Sequence, residues 1–459
     1  MVSLGLSIGL FVLTLLSRMA FDEAMQIVSY ALILGALVLN ILRQGRLTNL
    51  GAFLLLAFIL YGVRPLFILV EDDRELIYSM MGRVPILPVV ARGMFTAVIA
   101  MLTICVGHAA AKIQWPLKNF RSLPGVPMSS FFPKPTPVGS IALIGFQVLC
   151  LVFLFGLRSR GLSIYGDDAG AYSYLFPQVL QAGQIFPLVV FAYNKNKCGV
   201  SGQVYFWISL VLFALFTFFM KDLSMFRSFY LTGAISAVIA ILHAQRGRVA
   251  YWILVLPVLY LLPAFRALGE TRLLGSEEAF AFALDVMRSF SFESWWEFFN
   301  AKGDMNVFDT LAAAVHSTPR FYPYFQAWFY AVAHFIPRAW WPGKPDRGML
   351  VDMAFAQGAP LSPGLAGFYY LDGGFLWMLL SCFLTGMILY ALDRWLIAMR
   401  PGYLRSSLFG IIVINSLYAA RGYLHFTVIQ YIFMLVPVFL LSWAAAKLRF
   451  IPEPKFQRA

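Results

Sequence analysis

The chain has 459 residues, of which 60% are hydrophobic and only 12% charged, where a soluble chain carries about 25% charged residues. With a mean hydropathy of +0.76, so much apolar surface needs a lipid solvent, which excludes a soluble globular domain. The net charge of +13 is spread through short loops suited to anionic headgroups, not gathered into a nucleic-acid footprint.

In hydrocarbon only helices and closed barrels satisfy their own backbone polar groups. The apolar runs lack the alternation of a barrel strand, so the expected fold is all-α: a polytopic membrane protein. In chain order the predicted spans lie near 3–17, 26–42, 48–70, 88–111, 138–157, 176–193, 203–220, 228–244, 249–263, 373–391, 406–420 and 424–446. No Lys or Arg precedes the first run and no small-residue cleavage site follows it, so it reads as a retained span. This gives a nine-span region over 1–263, a large loop over 264–372, and three spans with a tail over 373–459, forming one integrated membrane domain. Within the loop, Tyr324 to Ile336 is apolar but short, which suits a re-entrant or interfacial helix. The cysteines Cys105, Cys150, Cys198 and Cys382 are far apart and show neither metal-ligand nor redox spacing.

Charge sets the expected sidedness. With the N-terminus cytoplasmic, the cytoplasmic segments total +15 and the opposite ones −4; Arg64 and Arg92 inside spans complete the +13. Basic segments stay inside, so both termini are expected in the cytoplasm and the long loop outside.

That outer loop is rich in rings, among them Trp295, Trp296, Tyr322, Tyr324, Trp328, Trp340 and Trp341. Such rings favour the bilayer interface and also make stacking faces for sugars. Arginine argues more sharply, because positive charge is disfavoured outside. Yet Arg158, Arg160, Arg227, Arg266, Arg272, Arg320, Arg338, Lys344, Arg347 and Arg421 all fall there. A guanidinium binds phosphate bidentately and stays charged, so these residues suit a lipid-linked diphosphate; snorkelling to lipid phosphate is the bland alternative. Asp304 and Asp309 could take a proton from a sugar hydroxyl, although a solvated carboxylate is the simpler reading. His316 and His425 also lie outside. Asp22-Glu23 and Glu71-Asp72-Asp73 could hold a divalent ion, on weak grounds. Gly373-Gly374 allows a tight start to the next span. No phosphate-cradling Gly-rich motif with a following Lys is present, so nothing points to ATP.

Several blocks carry a resemblance. They are Met225-Phe226-Arg227-Ser228, Phe265-Arg266, Asn306-Val307-Phe308-Asp309, Tyr322-Pro323-Tyr324, Ile336-Pro337-Arg338 with Trp341-Pro342-Gly343-Lys344-Pro345, Tyr369 to Gly374, and Arg421-Gly422. Over roughly 225–425 the chain resembles the oligosaccharide repeat-unit polymerases of bacterial envelopes, the O-antigen polymerase or Wzy type. Arg347 to Gly358 also fits the family's spacing of Arg, ten residues, Gly; Arg158 to Gly170 and Arg160 to Gly170 miss it by one residue each.

The resemblance implies a GT-C-like, inverting, metal-independent glycosyltransferase with no cofactor, acting at the periplasmic face of the bacterial inner membrane. Its substrates would be undecaprenyl-diphosphate-linked oligosaccharides, in lipopolysaccharide or related polysaccharide biosynthesis. Its partners would be membrane lipids and a chain-length-regulating co-polymerase. Carried onto this chain, Arg227, Arg266, Arg338 and Arg421 would be catalytic. Arg158, Arg160, Asp304, Asp309, Tyr324, Trp341, Lys344 and Arg347 would bind substrate. The competing readings are an O-antigen ligase or another lipid-linked GT-C transferase, and a flippase or transporter. A transporter should show internal repeats and mid-membrane ionisable groups; no repeat is evident, and Arg64 and Arg92 are the only charges placed within spans.

Overall fold

The computed structural model describes residues 4–73, 75–115, 132–159, 176–223, 227–252, 291–297, 306–317, 324–326, 362–422 and 424–452, with 255, 281, 285, 288, 328, 329, 336, 340 and 341. All regular secondary structure among them is helical. Among the described residues six helices are long and apolar enough to cross a membrane: 23–42, 49–71, 86–114, 137–156, 199–219 and 364–398; Gly5–Ala20, Val179–Asn194 and Tyr431–Lys447 are shorter apolar helices. The protein is a multi-pass helical membrane protein.

Chain contacts divide the molecule into two compact units. The first comprises Met1–Pro116, Ala250–Asp393 and Ser416–Ile429; the second comprises Leu117–Val249, Arg394–Asn415 and Gln430–Ala459.

In the first unit, α1 (Leu4–Ala20) and α2 (Glu23–Leu42) are joined by a turn that Asp22 closes. Its carboxylate accepts from the Met25 N–H and caps α2. Thr48 caps α3 (Asn49–Phe58) in the same way through the Gly51 N–H. A π turn (Ile59–Val63) then leads into α4 (Arg64–Glu71). Pro65 explains it: proline has no N–H to give to the carbonyl four residues back, and its ring crowds that carbonyl, so the helix widens just before it. α4 ends with Asp72 in the left-handed region, φ 54°. After α5 (Glu75–Met81) comes α6 (Ile86–Gln114), which is apolar on all sides and buried along most of its length. Two further helices of this unit are α11 (Phe292–Glu297) and α12 (Asn306–Ser317); α12 lies on α6, with Phe308 and Ala312 against Gly93.

The long helix α13 (Gly364–Ala398) begins in the first unit. Its backbone departs from helical geometry at Gly373 and Gly374, where Gly374 has φ 76°, open to glycine at little cost. α13 is thus two helical segments meeting at a kink; the expected span from 373 is the second of them, and 364–372 form a helical segment before it. α6 and α13 touch backbone to backbone: a Cβ on Gly107 would meet the Phe383 carbonyl, and one on Gly386 the Ile104 carbonyl. Small residues at such crossings let apolar helices pack closely where lipid supplies no hydrophobic drive.

The second unit holds α7 (Pro137–Ser159), α8 (Phe176–Asn194), α9 (Gly199–Leu223) and α10 (Arg227–Arg246), the end of α13, most of α14 (Tyr403–Ala419), and α15 (Leu424–Lys447) from Gln430 onward. Some of its interior polar groups pair between distant segments. The Asn194 amide donates to the Tyr403 hydroxyl at 2.6 Å, which donates to the Pro133 carbonyl at 2.8 Å. His243 Nδ1 meets Ser406 Oγ at 3.0 Å. Eleven of the predicted spans coincide with a helix to within a few residues at most ends; the span expected at 249–263 lies largely outside the described residues.

Candidate functional site

The most heavily built polar feature is an ion cluster in the first unit. Arg64 is fully buried where the π turn passes into α4. Its Nε donates to Asp309 Oδ2 at 3.0 Å and its Nη2 to Asp309 Oδ1 at 3.1 Å, while Nη1 reaches Asp73 Oδ2 at 2.8 Å. Asp309, on α12, is also fully buried, so the solvated loop carboxylate expected there is not what the fold contains. Burial pushes its pKa up and the Arg64 guanidinium pulls against that. With both oxygens in a fork, Asp309 could accept a substrate proton only by giving up the pair. It fastens α12 to the 49–71 span.

The other acids have separate duties. Asp22 caps a helix, and Glu71 accepts from the Trp296 indole at 2.8 Å. Among the described residues no group of three or more His, Cys, Asp or Glu is placed to hold a metal ion.

A second knot surrounds Asp372, fully buried on α13 just before the glycine bend. Its carbonyl accepts from the Tyr324 N–H at 2.8 Å. Its carboxylate accepts from the Gln326 N–H at 2.9 Å and the Trp377 indole at 2.8 Å. These bonds hold Tyr324 and Phe325 in consecutive left-handed conformations, φ 42° and 61°. Each such non-glycine residue costs about 1–3 kcal/mol and persists only where surrounding structure fixes it. The result is a pair of exposed rings, with Phe325 edge-on to Trp377 at 4.4 Å. Trp341 meets Phe329 edge-on at 5.8 Å. Trp328 stacks on Tyr369 and donates to Ser381.

A third tie involves the turn that precedes α15. The Ser362 hydroxyl donates to the Arg421 carbonyl at 2.9 Å, and the Tyr61 hydroxyl to the Ala420 carbonyl at 3.2 Å. Gly364 lies against the Tyr61 hydroxyl and Val307. Arg421 is half-buried in this turn. Segments near 61–64, 307–309, 362–364 and 420–421, remote in sequence, thus form one neighbourhood within the first unit.

Of the residues singled out from sequence, Asp309, Tyr324, Trp341 and Arg421 are described with their surroundings. Arg158 ends α7 and Arg227 begins α10, with their side chains outside the described set. Arg160, Arg266, Asp304, Arg338, Lys344 and Arg347 lie outside the described residues. Sequence reasoning misses Asp372 as a buried anchor and marks Arg64 only as a charge within a span. Its place in an apolar run was the signal, because a buried guanidinium needs a partner. Set against known proteins, the chain matches no family model, no curated protein and no solved structure.

Proposed function

We propose that the protein is a membrane glycosyltransferase that polymerises undecaprenyl-diphosphate-linked oligosaccharide repeat units at the outer face of the bacterial inner membrane. One observation carries the reading. Of the described blocks behind the resemblance, Asn306–Asp309, Tyr324, Tyr369–Gly374 and Arg421-Gly422 belong to the first unit, each held by polar ties between distant segments, while Arg227-Ser228 belongs to the second.

In this reading an acceptor sugar hydroxyl attacks C1 of the growing chain's first sugar. The new C–O bond forms as the bond to the diphosphate breaks, and the diphosphate leaves with the electron pair. Arg266, Arg338 and Arg421, with Lys344 and Arg347, stabilise that departing charge. With Asp309 committed to Arg64, Asp304 and Tyr324 remain to take the hydroxyl proton. The exposed ring of Tyr324 and the half-buried ring of Trp341 offer stacking faces to the glycan. The overall type is the GT-C-like fold, without a metal ion.

The test is polymer synthesis in proteoliposomes given lipid-linked repeat units. Arg421→Lys keeps the charge but loses the fork, and losing one preorganised donor at developing charge costs roughly 10²–10³ in rate. The reaction should survive excess EDTA. Full-length ladders at normal rates from Lys variants at Arg266, Arg338 and Arg421 alike would overturn the diphosphate clamp. Abolition by chelator, restored by magnesium, would favour a carboxylate-and-metal transferase. Export of lipid-linked repeat units without elongation would favour a flippase.

A further inference from the structure

A pocket of about 340 Å³ opens in the first unit between α1, α6, α12 and α13. Two arginines line it, Arg18 in the last turn of α1 and Arg92 two turns into α6. Both are exposed, and among the described residues neither has a carboxylate at ion-pair distance. The Arg18 guanidinium lies 4.3 Å over the ring of Phe95, which is one turn beyond Arg92. The rest of the lining is largely apolar, with Phe11, Leu15, Ile99 and Leu379 among it. Phe11 and Leu15 are also exposed, so the pocket is open on the side of α1.

The depth is informative. At 1.5 Å per residue, the 29 residues of α6 span about 44 Å, while the hydrocarbon core is about 30 Å thick. The excess brings Arg92 to the headgroup boundary, level with the end of α1. Two like charges crowded at an apolar mouth are unfavourable until an anion joins them. A basic recess between membrane helices, continuous with lipid-facing apolar residues, suits a phosphate that carries hydrocarbon chains.

We infer that this pocket is a binding site for an anionic glycerophospholipid of the bilayer, with its phosphate between Arg18 and Arg92 and an acyl chain along Phe11 and Leu15. α1 and the start of α6 carry none of the blocks behind the proposed activity, whereas the α13 wall includes Tyr370 of the Tyr369–Gly374 block, and the volume suits a headgroup with a few methylenes. The site needs a bilayer but not the transferase reading.

The test is native mass spectrometry of the full chain, purified in neutral detergent and delipidated. It is titrated with phosphatidylglycerol, phosphatidylethanolamine, undecaprenyl diphosphate and inorganic phosphate. Phosphatidylglycerol should bind well ahead of phosphatidylethanolamine, and the Arg18→Gln, Arg92→Gln pair should weaken it about thirty-fold, two surface cations' worth. The Arg18→Lys, Arg92→Lys pair should keep most of the binding, which separates lost charge from lost fold. Unchanged phosphatidylglycerol binding in the Gln pair would overturn the inference. So would arginine-dependent binding of undecaprenyl diphosphate that displaces phosphatidylglycerol, which assigns the pocket to substrate. Inorganic phosphate binding as tightly as the lipid would make it a free-anion site.

Discussion

Asp309→Leu removes two charge-assisted hydrogen bonds from Arg64, each worth about 1.5–3 kcal/mol, and leaves a fully buried guanidinium without its bidentate carboxylate. Breaking a buried pair in this way costs about 3–5 kcal/mol. Asp73→Asn removes one bond from a partner that is 15% exposed, so water can compensate, and about 1–2 kcal/mol is expected. Replacing both charges, Arg64→Met with Asp309→Leu, should recover most of the loss, since an apolar pair of similar volume is often neutral against a buried ion pair. Equilibrium unfolding in mixed SDS micelles, followed by tryptophan fluorescence, gives these values and, with Arg64→Met alone as the remaining single, the coupling energy of the cycle. If Asp309→Leu costs under about 1 kcal/mol, or the double variant costs the sum of the singles, the cluster does not hold α12 to the 49–71 span.

The α6–α13 crossing predicts that Gly386→Ala destabilises by about 1–3 kcal/mol in the same assay, despite alanine's better helix propensity. Gly145→Ala on α7, which has nothing within 4 Å, should be neutral or stabilising by up to about 1 kcal/mol; similar outcomes at both sites would refute the close crossing. For sidedness, in a cysteine-free background Trp340→Cys should react with an impermeant thiol reagent in intact spheroplasts and Gln44→Cys should not. Reversed reactivity would overturn the charge-based orientation.

The apolar runs determined where the helices are, because a backbone in hydrocarbon has no other means of satisfying its polar groups than the helix itself. Charge counting supplied an orientation, since each loop's bias is written locally in the chain. Polar residues inside or beside those runs stayed ambiguous, because a charge shows its own cost in sequence but not its partner. Arg64 and Asp309 are 245 positions apart, and only the packing of α12 onto the 49–71 span turns an expected loop carboxylate into a buried fork. Asp372 shows the same in reverse. Its charge and the following glycines make 364–372 read as the end of a loop, yet the Tyr324 turn and Trp377 satisfy the carboxylate and let a helical segment run from Gly364 to the glycine bend. Hydrophobic pattern is a local property that sequence carries in full. The pairing of buried charges is a relation between distant segments, and the tertiary structure alone decides it.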